Sequence, residues 1–313
     1  MRNKPDDLTH DLLPARWGRA VLITGVALIV ASATYLVLTG NTGIRYSADH
    51  TGTVPMWTRW VPALAGLLLA LLIPGGSRAA TPQPPAAGRT PPYPQAVVLI
   101  TAAVAFAASL RLAGGGEPAH TLLKLALLLC VPAVAFWLLR RRGDATQPGH
   151  RRNTAPQPDA SAPGDAETAS WRRYGPLIPV AAWFALSFTG PFAIPPSDYG
   201  RTVDPVTLLV TIAVVFLVNS LLEEVFYRRW LQSTCEAVLG RRPAIVLAAL
   251  LWASWHVGIQ GTGTLADDLA SVFVNQGVQG LFLGYLYSKH RLMWPILTVH
   301  GLTNSAPILL GLL

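Results

Sequence analysis

Residues 206–230 read VTLLVTIAVVFLVNSLLEEVFYRRW. An apolar run of this length crosses a hydrocarbon core of about 30 Å as a helix, yet it carries Glu223 and Glu224 side by side, with Arg228 one helical turn later. A carboxylate at the centre of a membrane helix costs roughly 2.5–3.5 kcal/mol on insertion scales, so two in tandem point to function before they point to packing. Of the 16 acidic residues only this pair falls inside a hydrophobic segment, and of the 7 histidines only His256 and His300 do. The four lie on three segments that a bundle can bring together.

Outward from this stretch, the chain is 51% hydrophobic and 13% charged, and its apolar runs have membrane-spanning length. The expected fold class is all-α, a polytopic transmembrane helix bundle of about nine spans, near residues 19–39, 55–74, 95–112, 121–139, 174–191, 205–230, 243–260, 268–288 and 292–313. Short cytoplasmic loops carry the excess of Lys and Arg. The loop with Arg140, Arg141, Arg142, Arg151, Arg152, Arg172 and Arg173 is therefore expected inside. Counting spans from it places the N-terminus, Arg78 and Arg89, Arg228 to Arg242, and Lys289 with Arg291 inside as well. The acidic loops at Asp198, Asp204, Asp267 and Asp268 then fall outside with the C-terminus. The net charge of +8 is accounted for by topology and anionic lipid, so the lipid bilayer is an expected partner and nucleic acid is not. Arg16 and Arg19 before an apolar run, with Ala31-Ser32-Ala33 after them, also fit a signal peptide, but the run continues past that site and a retained span is expected. Neither Cys130 nor Cys235 suggests a disulfide or a metal site.

A Pro/Ala-rich linker at 143–170, expected to be cytoplasmic, divides the sequence. Before it lies an N-terminal membrane region, 1–142, of about four spans and unassigned function; after it, 171–313 holds about five spans and all four acid and imidazole residues. Lys124, near its helix end, is expected to snorkel to the interface.

On the sixth span Ser220, Glu224 and Arg228 form one stripe, and Asn219, Glu223 and Tyr227 its neighbour. Glu224 can pair with Arg228, whereas Glu223 has no cation on its own helix; an interfacial ion pair is the plainer reading. Trp252 and His256 share a face, as a packing histidine would. His300 and Asn304 share another, either as two donors for a developing oxyanion or as an interhelical hydrogen-bond pair. Gly277, Gly280 and Gly284 read as close helix packing.

In order and spacing, Glu223-Glu224-x-x-x-Arg228, Trp252-x-x-x-His256 and His300-x-x-x-Asn304 resemble the motifs of the CAAX protease and bacteriocin-processing family of intramembrane proteases. The similarity covers roughly residues 205–310, with Trp252 where that family usually has Phe. The resemblance implies an enzyme that hydrolyses a peptide bond near the cytoplasmic leaflet, acting on a peptide or membrane-protein substrate. Catalytic roles then fall on Glu223, Glu224, Arg228, His256, His300 and Asn304. Glu223 helped by His256 would activate water, His300 and Asn304 would hold the oxyanion, and Glu224 with Arg228 would keep the helix in register. No cofactor is favoured; a zinc held by Glu223, His256 and His300 is the metal-dependent alternative. The zinc-helix, serine and aspartyl motifs of other intramembrane proteases are missing from the sequence. A non-catalytic immunity or scaffold protein and a proton-coupled transporter are the rival functions, although a proton relay has no need of an amide four residues after its histidine. The scarcity of Lys beside Arg suggests a GC-rich bacterial genome, hence the bacterial plasma membrane.

Overall fold

The computed structural model describes residues 7–47, 52–74, 92–146, 165–261 and 263–313. Helices occupy the nine apolar stretches: α1 (Asp7–Leu38), α2 (Trp57–Leu72), α3 (Tyr93–Leu112), α4 (119–146), α5 (Asp165–Tyr174) running into α6 (Leu177–Phe188), then, after the single-turn α7 (Tyr199–Thr202), α8 (Pro205–Leu239), α9 (Arg241–Gln260), α10 (265–290) and α11 (Met293–Leu310). A two-residue antiparallel ladder, β1 (Gly43–Ile44) on β2 (Val54–Pro55), closes the loop after α1. Five helices, at Arg16–Leu38, Tyr93–Leu112, Ala119–Leu139, Pro205–Leu239 and Arg241–Gln260, are long and apolar enough to cross a membrane, and Trp57–Leu72 is a shorter apolar helix. The protein is an all-α integral membrane protein. Side chains such as Ile23, Val30, Leu72, Val97, Val104, Leu209 and Leu217 are exposed on the outside of the bundle, where lipid leaves them at no cost.

Helix α4 runs to 146 and α5 starts at Asp165, so the two ends of the stretch read as a linker, 143–170, are helical. Its centre, 147–164, lies outside the described residues, as do Arg78 and Arg89. The N-terminal helices are walls of the same bundle. One core cluster joins Leu99, Phe106 and Leu128 to Phe226, Trp252, Phe282 and Val299.

Cationic and acidic loops sort to opposite ends. At one end Lys289 Nζ donates to the carbonyls of Ala70 and Ile73 at 2.7 and 2.6 Å, Arg172 meets His290, and Arg291 pairs with Glu236. At the other, Asp267 accepts from Tyr35 and Asn41, and Arg111 approaches Asp268 at 3.5 Å.

Helix α8 starts where Asp204 caps it, accepting from the backbone N–H groups of Val206 and Thr207, with Pro205 following; this satisfies donors that the first turn leaves free. It does not stop at Trp230. It runs to Leu239 and ends at Gly240, whose φ of 89° favours a residue without Cβ. Arg228 is consequently no boundary marker: it is fully buried, and Glu223 sits near mid-helix, about 27 Å from its start at 1.5 Å per residue. The wide-turn π segments Phe216–Leu221 and Val225–Gln232 flank the glutamates. Their extra residue per turn rotates both polar stripes inward, so that Ser220, Glu223, Glu224, Tyr227 and Arg228 are all buried.

Candidate active site

Glu223 is 1% exposed, and each of its oxygens has a partner from another helix. Oε1 accepts from Lys124 Nζ at 2.7 Å, and Oε2 accepts from Trp252 Nε1 at 2.6 Å. Lys124, expected at the interface, is instead 0% exposed. A buried carboxylate and ammonium each cost several kcal/mol unless paired, and here each offsets the other. Lys124 also donates to Asn219 Oδ1 at 2.7 Å and lies 4.7 Å from the centroid of the Trp255 ring.

Glu224 faces the neighbouring direction. Its Oε2 accepts from Arg228 Nε at 3.2 Å and its Oε1 lies 2.8 Å from His300 Nδ1. An ionised carboxylate can only accept, so that hydrogen bond puts a proton on Nδ1 and turns Nε2 toward Glu223, 3.9 Å from its Oε2. His256 is fixed in the same manner: Nδ1 is 3.0 Å from the Trp252 carbonyl, which can only accept, leaving Nε2 as the free acceptor of the neutral ring. Trp255 stacks on His256 at 3.8 Å between centroids, and the Trp252 ring stands edge-on to both histidines. Asn304 donates through Nδ2 to Ser220 Oγ at 3.1 Å.

A cavity of about 560 Å³ is lined by Glu223, Trp252, His256, His300 and Asn304, together with His120. All the candidate residues are thus within or immediately behind one wall, with Glu224 and Arg228 supporting His300 from outside it. The cavity reaches the end of the bundle that carries the acidic loops, where Ser47, Gly116 and Ser197 border it. A second hollow of about 440 Å³, apolar except for Ser220, Thr298, Asn304 and Ser305, opens between α8 and α11 and shares Ile212, Val215, Asn304 and Ser305 with the first.

Tight helix packing makes this convergence possible. A Cβ on Gly280 would lie 2.9 Å from Ala249 Cβ and 3.3 Å from Trp252 Cε3, so only glycine lets α9 approach α10 closely enough for the Trp252 indole to reach Glu223. Gly284 faces Gln232 and Ile245 at 2.9 and 3.0 Å in the same way, whereas Gly277 makes only ordinary contacts.

Among the described residues no group of three or more His, Cys, Asp or Glu side chains is arranged to hold a metal ion. Glu223, His256 and His300 border one cavity, but the carboxylate oxygens are engaged by an ammonium and an indole N–H. The donor set does not fit zinc as it stands.

Sequence reasoning missed Lys124, His120 and Arg59. His120 lines the cavity beside Trp255, at 5.5 Å between centroids, with Nδ1 3.1 Å from Glu117 Oε1. Arg59 borders the cavity from α2. Lys124 alone carried a signal, as the only charge well within an N-terminal apolar run; a buried cation there called for a buried anion elsewhere.

The model of the Rce1-like family, described as Type II CAAX prenyl endopeptidase Rce1-like, matches residues 205–306, from the first turn of α8 to just beyond Asn304. The resemblance read from the three motifs holds over that segment. No curated protein and no solved structure matches the chain. The matched stretch leaves out α1–α7, and so excludes Lys124.

Proposed function

We propose that this chain is an intramembrane endopeptidase that hydrolyses a peptide bond with water activated by Glu223 and His256. The observation that carries the reading is the meeting of Glu223, His256, His300 and Asn304 around one cavity within a bundle whose outside is apolar. Glu223, aided by His256 Nε2, takes a proton from water as its oxygen attacks the scissile carbonyl carbon. Asn304 and, as the imidazolium, His300 Nε2 donate to the oxyanion that forms. The C–N bond then breaks, and the proton held at Glu223 passes to the leaving amine. Glu224 and Arg228 orient the His300 ring; no Ser, Cys or Thr nucleophile takes part. The metal-free route is preferred because a zinc would have to displace both Lys124 and Trp252 from Glu223.

We infer that the substrate is a peptide or membrane protein whose apolar segment reaches the site through the hollow between α8 and α11. The nine helical passes are read as nine spans, with the cationic end in the cytoplasm and the C-terminus outside. Cleavage near the cytoplasmic leaflet is what the family resemblance implies, but Arg228 is fully buried and marks no inner boundary. The cavity mouth at the acidic end favours access from the non-cytoplasmic side. The test is comparative membrane proteomics of cells carrying wild type or Glu223→Ala. Fragments that depend on Glu223 are expected; identical peptide maps would return the reading to a scaffold or transporter.

A further inference from the structure

Among the described residues, the ion pairs around the cavity leave one cation without a carboxylate. Glu223 is matched by Lys124 and Glu224 by Arg228, both at hydrogen-bond distance. Glu117 lies against His120, and Asp268 against Arg111. Arg59, 7% exposed and bordering the same cavity, has no carboxylate within ion-pair distance among the described residues. Its guanidinium is held by two neutral amides: Nε donates to Asn275 Oδ1 at 3.0 Å, and an Nη2 hydrogen to Gln279 Oε1 at 2.9 Å. Nη1 makes no hydrogen bond to any described residue, and the end-on edge formed by Nη1 and the second Nη2 hydrogen is what remains. A buried, uncompensated cation is costly; amides that aim it without neutralising it hold it ready for an incoming anion. Gln279 also donates to Thr303 Oγ1 at 2.9 Å, so the guanidinium is tethered to the helix turn that presents His300 and Asn304.

We propose that Arg59 is a substrate-binding residue that anchors a carboxylate of the bound peptide in the catalytic cavity. A planar carboxylate accepts two parallel hydrogen bonds from that free edge, the bidentate geometry that a guanidinium offers and an ammonium does not. The carboxylate comes from the peptide's C-terminus or from an acidic side chain. This rests on the endopeptidase reading for the purpose of binding, and it gives α2, outside the matched segment, a part in substrate selection.

The experiment reads binding without turnover, in the full chain in nanodiscs, by quenching of tryptophan fluorescence. The probes are the peptide Ala-Val-Leu-Leu with a free C-terminus, its C-terminal amide, the amidated peptide Ala-Val-Glu-Leu, and inorganic phosphate as competitor. The wild type is expected to bind the free acid or the Glu-containing amide about 10-fold more tightly than the uncharged amide, the scale of one charge-assisted pair. Which of the two gains identifies the source of the carboxylate. Arg59→Gln should abolish the preference, and Arg59→Lys, which keeps the charge and loses the fork, should retain a smaller one and covers the case in which the glutamine variant fails to fold. Equal binding of charged and uncharged peptides by the wild type, or a preference that survives Arg59→Gln, overturns the proposal. Phosphate displacing the charged peptide at equal or lower concentration would overturn it in favour of a headgroup site. Loss of this preference with Glu223-dependent fragments still present sinks the anchor alone. Preference without such fragments sinks the protease reading alone.

Discussion

Lys124 Nζ lies 2.7 Å from Glu223 Oε1, with both side chains buried between helices. The pair joins helices 99 residues apart in sequence and ties the N-terminal region to the segment that resembles a protease. Removing one partner strands the other as an unpaired buried charge, a change that typically costs about 3–5 kcal/mol. Lys124→Met and Glu223→Gln are therefore each expected to lower the thermal unfolding midpoint in detergent. The double variant should recover most of that loss without recovering proteolysis, since the base is still missing. Additive losses in the double-mutant cycle would show that the two groups do not interact.

The pair also marks how far the sequence could be read. Glu223, Glu224, His256, His300 and Asn304 were legible because charge and imidazole stand out in apolar runs and their i, i+4 spacing fixes a face. The opposite ends of the bundle were legible from loop charge alone. Lys124 was misjudged because a lysine a few residues from a helix end has a cheap exit to the interface, and only the position of Glu223 in space says that it takes another route. Arg59 was harder still: it lies in the first turn of α2, where an arginine looks like an ordinary loop cation. The length of α8 was underestimated because Arg228, Arg229 and Glu236 imitate a membrane boundary, whereas Arg228 and Glu236 are buried against partners within the bundle.

Asn304 donates to Ser220 Oγ at 3.1 Å, so its amide is oriented before any substrate arrives. If it then serves the oxyanion, Asn304→Ala should lower kcat by about 10²–10³ with little change in KM, as loss of one preorganised donor does. Ser220→Ala should act more weakly in the same direction, by loosening the amide without removing it. The measurement is kcat and KM on a fragment identified by the proteomic comparison. A change confined to KM would assign Asn304 to ground-state binding. Metal analysis of the purified wild type and of His300→Ala belongs beside it: one metal per chain lost with the histidine would overturn the metal-free route.

At the cationic end, His290 and Arg172 hold α10 to α5: His290 Nδ1 lies 3.2 Å from the Arg172 carbonyl, and Arg172 Nε donates to the His290 carbonyl at 3.3 Å. Burial lowers the imidazole to about 4, and Lys289, Arg241 and Arg172 push the same way against the carbonyl hydrogen bond. Its Nε2 is buried with no hydrogen-bond partner among the described residues, so a second proton finds no acceptor there. The folded value lies below the ordinary 6.5, so the dock is fully stable above pH 6.5 and weakens as pH falls from there toward about 4, because the undocked form takes up the proton first. Cleavage by trypsin at Arg172 and Arg173 should accelerate over that window, and His290→Phe should flatten the dependence. A rate that does not change between pH 7 and pH 5 would place the stability of this end elsewhere.

The cavity borders Gly116, and a Cβ added there meets nothing within 4 Å, so Gly116→Cys is a probe that should not disturb the fold. Cys130 is exposed and Cys235 buried, so the variant is made with Cys130→Ser. With the cationic loops in the cytoplasm, as short Lys/Arg-rich loops predict, this end of the bundle lies outside it. A membrane-impermeant maleimide added to intact cells should then label Gly116→Cys, and a reporter fused after residue 155 should be cytoplasmic while one after residue 313 is not. Labelling that requires cell lysis, with the reporter after 313 inside, would invert the whole assignment and open the cavity to the cytoplasm. Labelling in intact cells combined with an inside C-terminus would instead show that one of the nine helical passes fails to cross, with the mouth of the cavity still on the outer side.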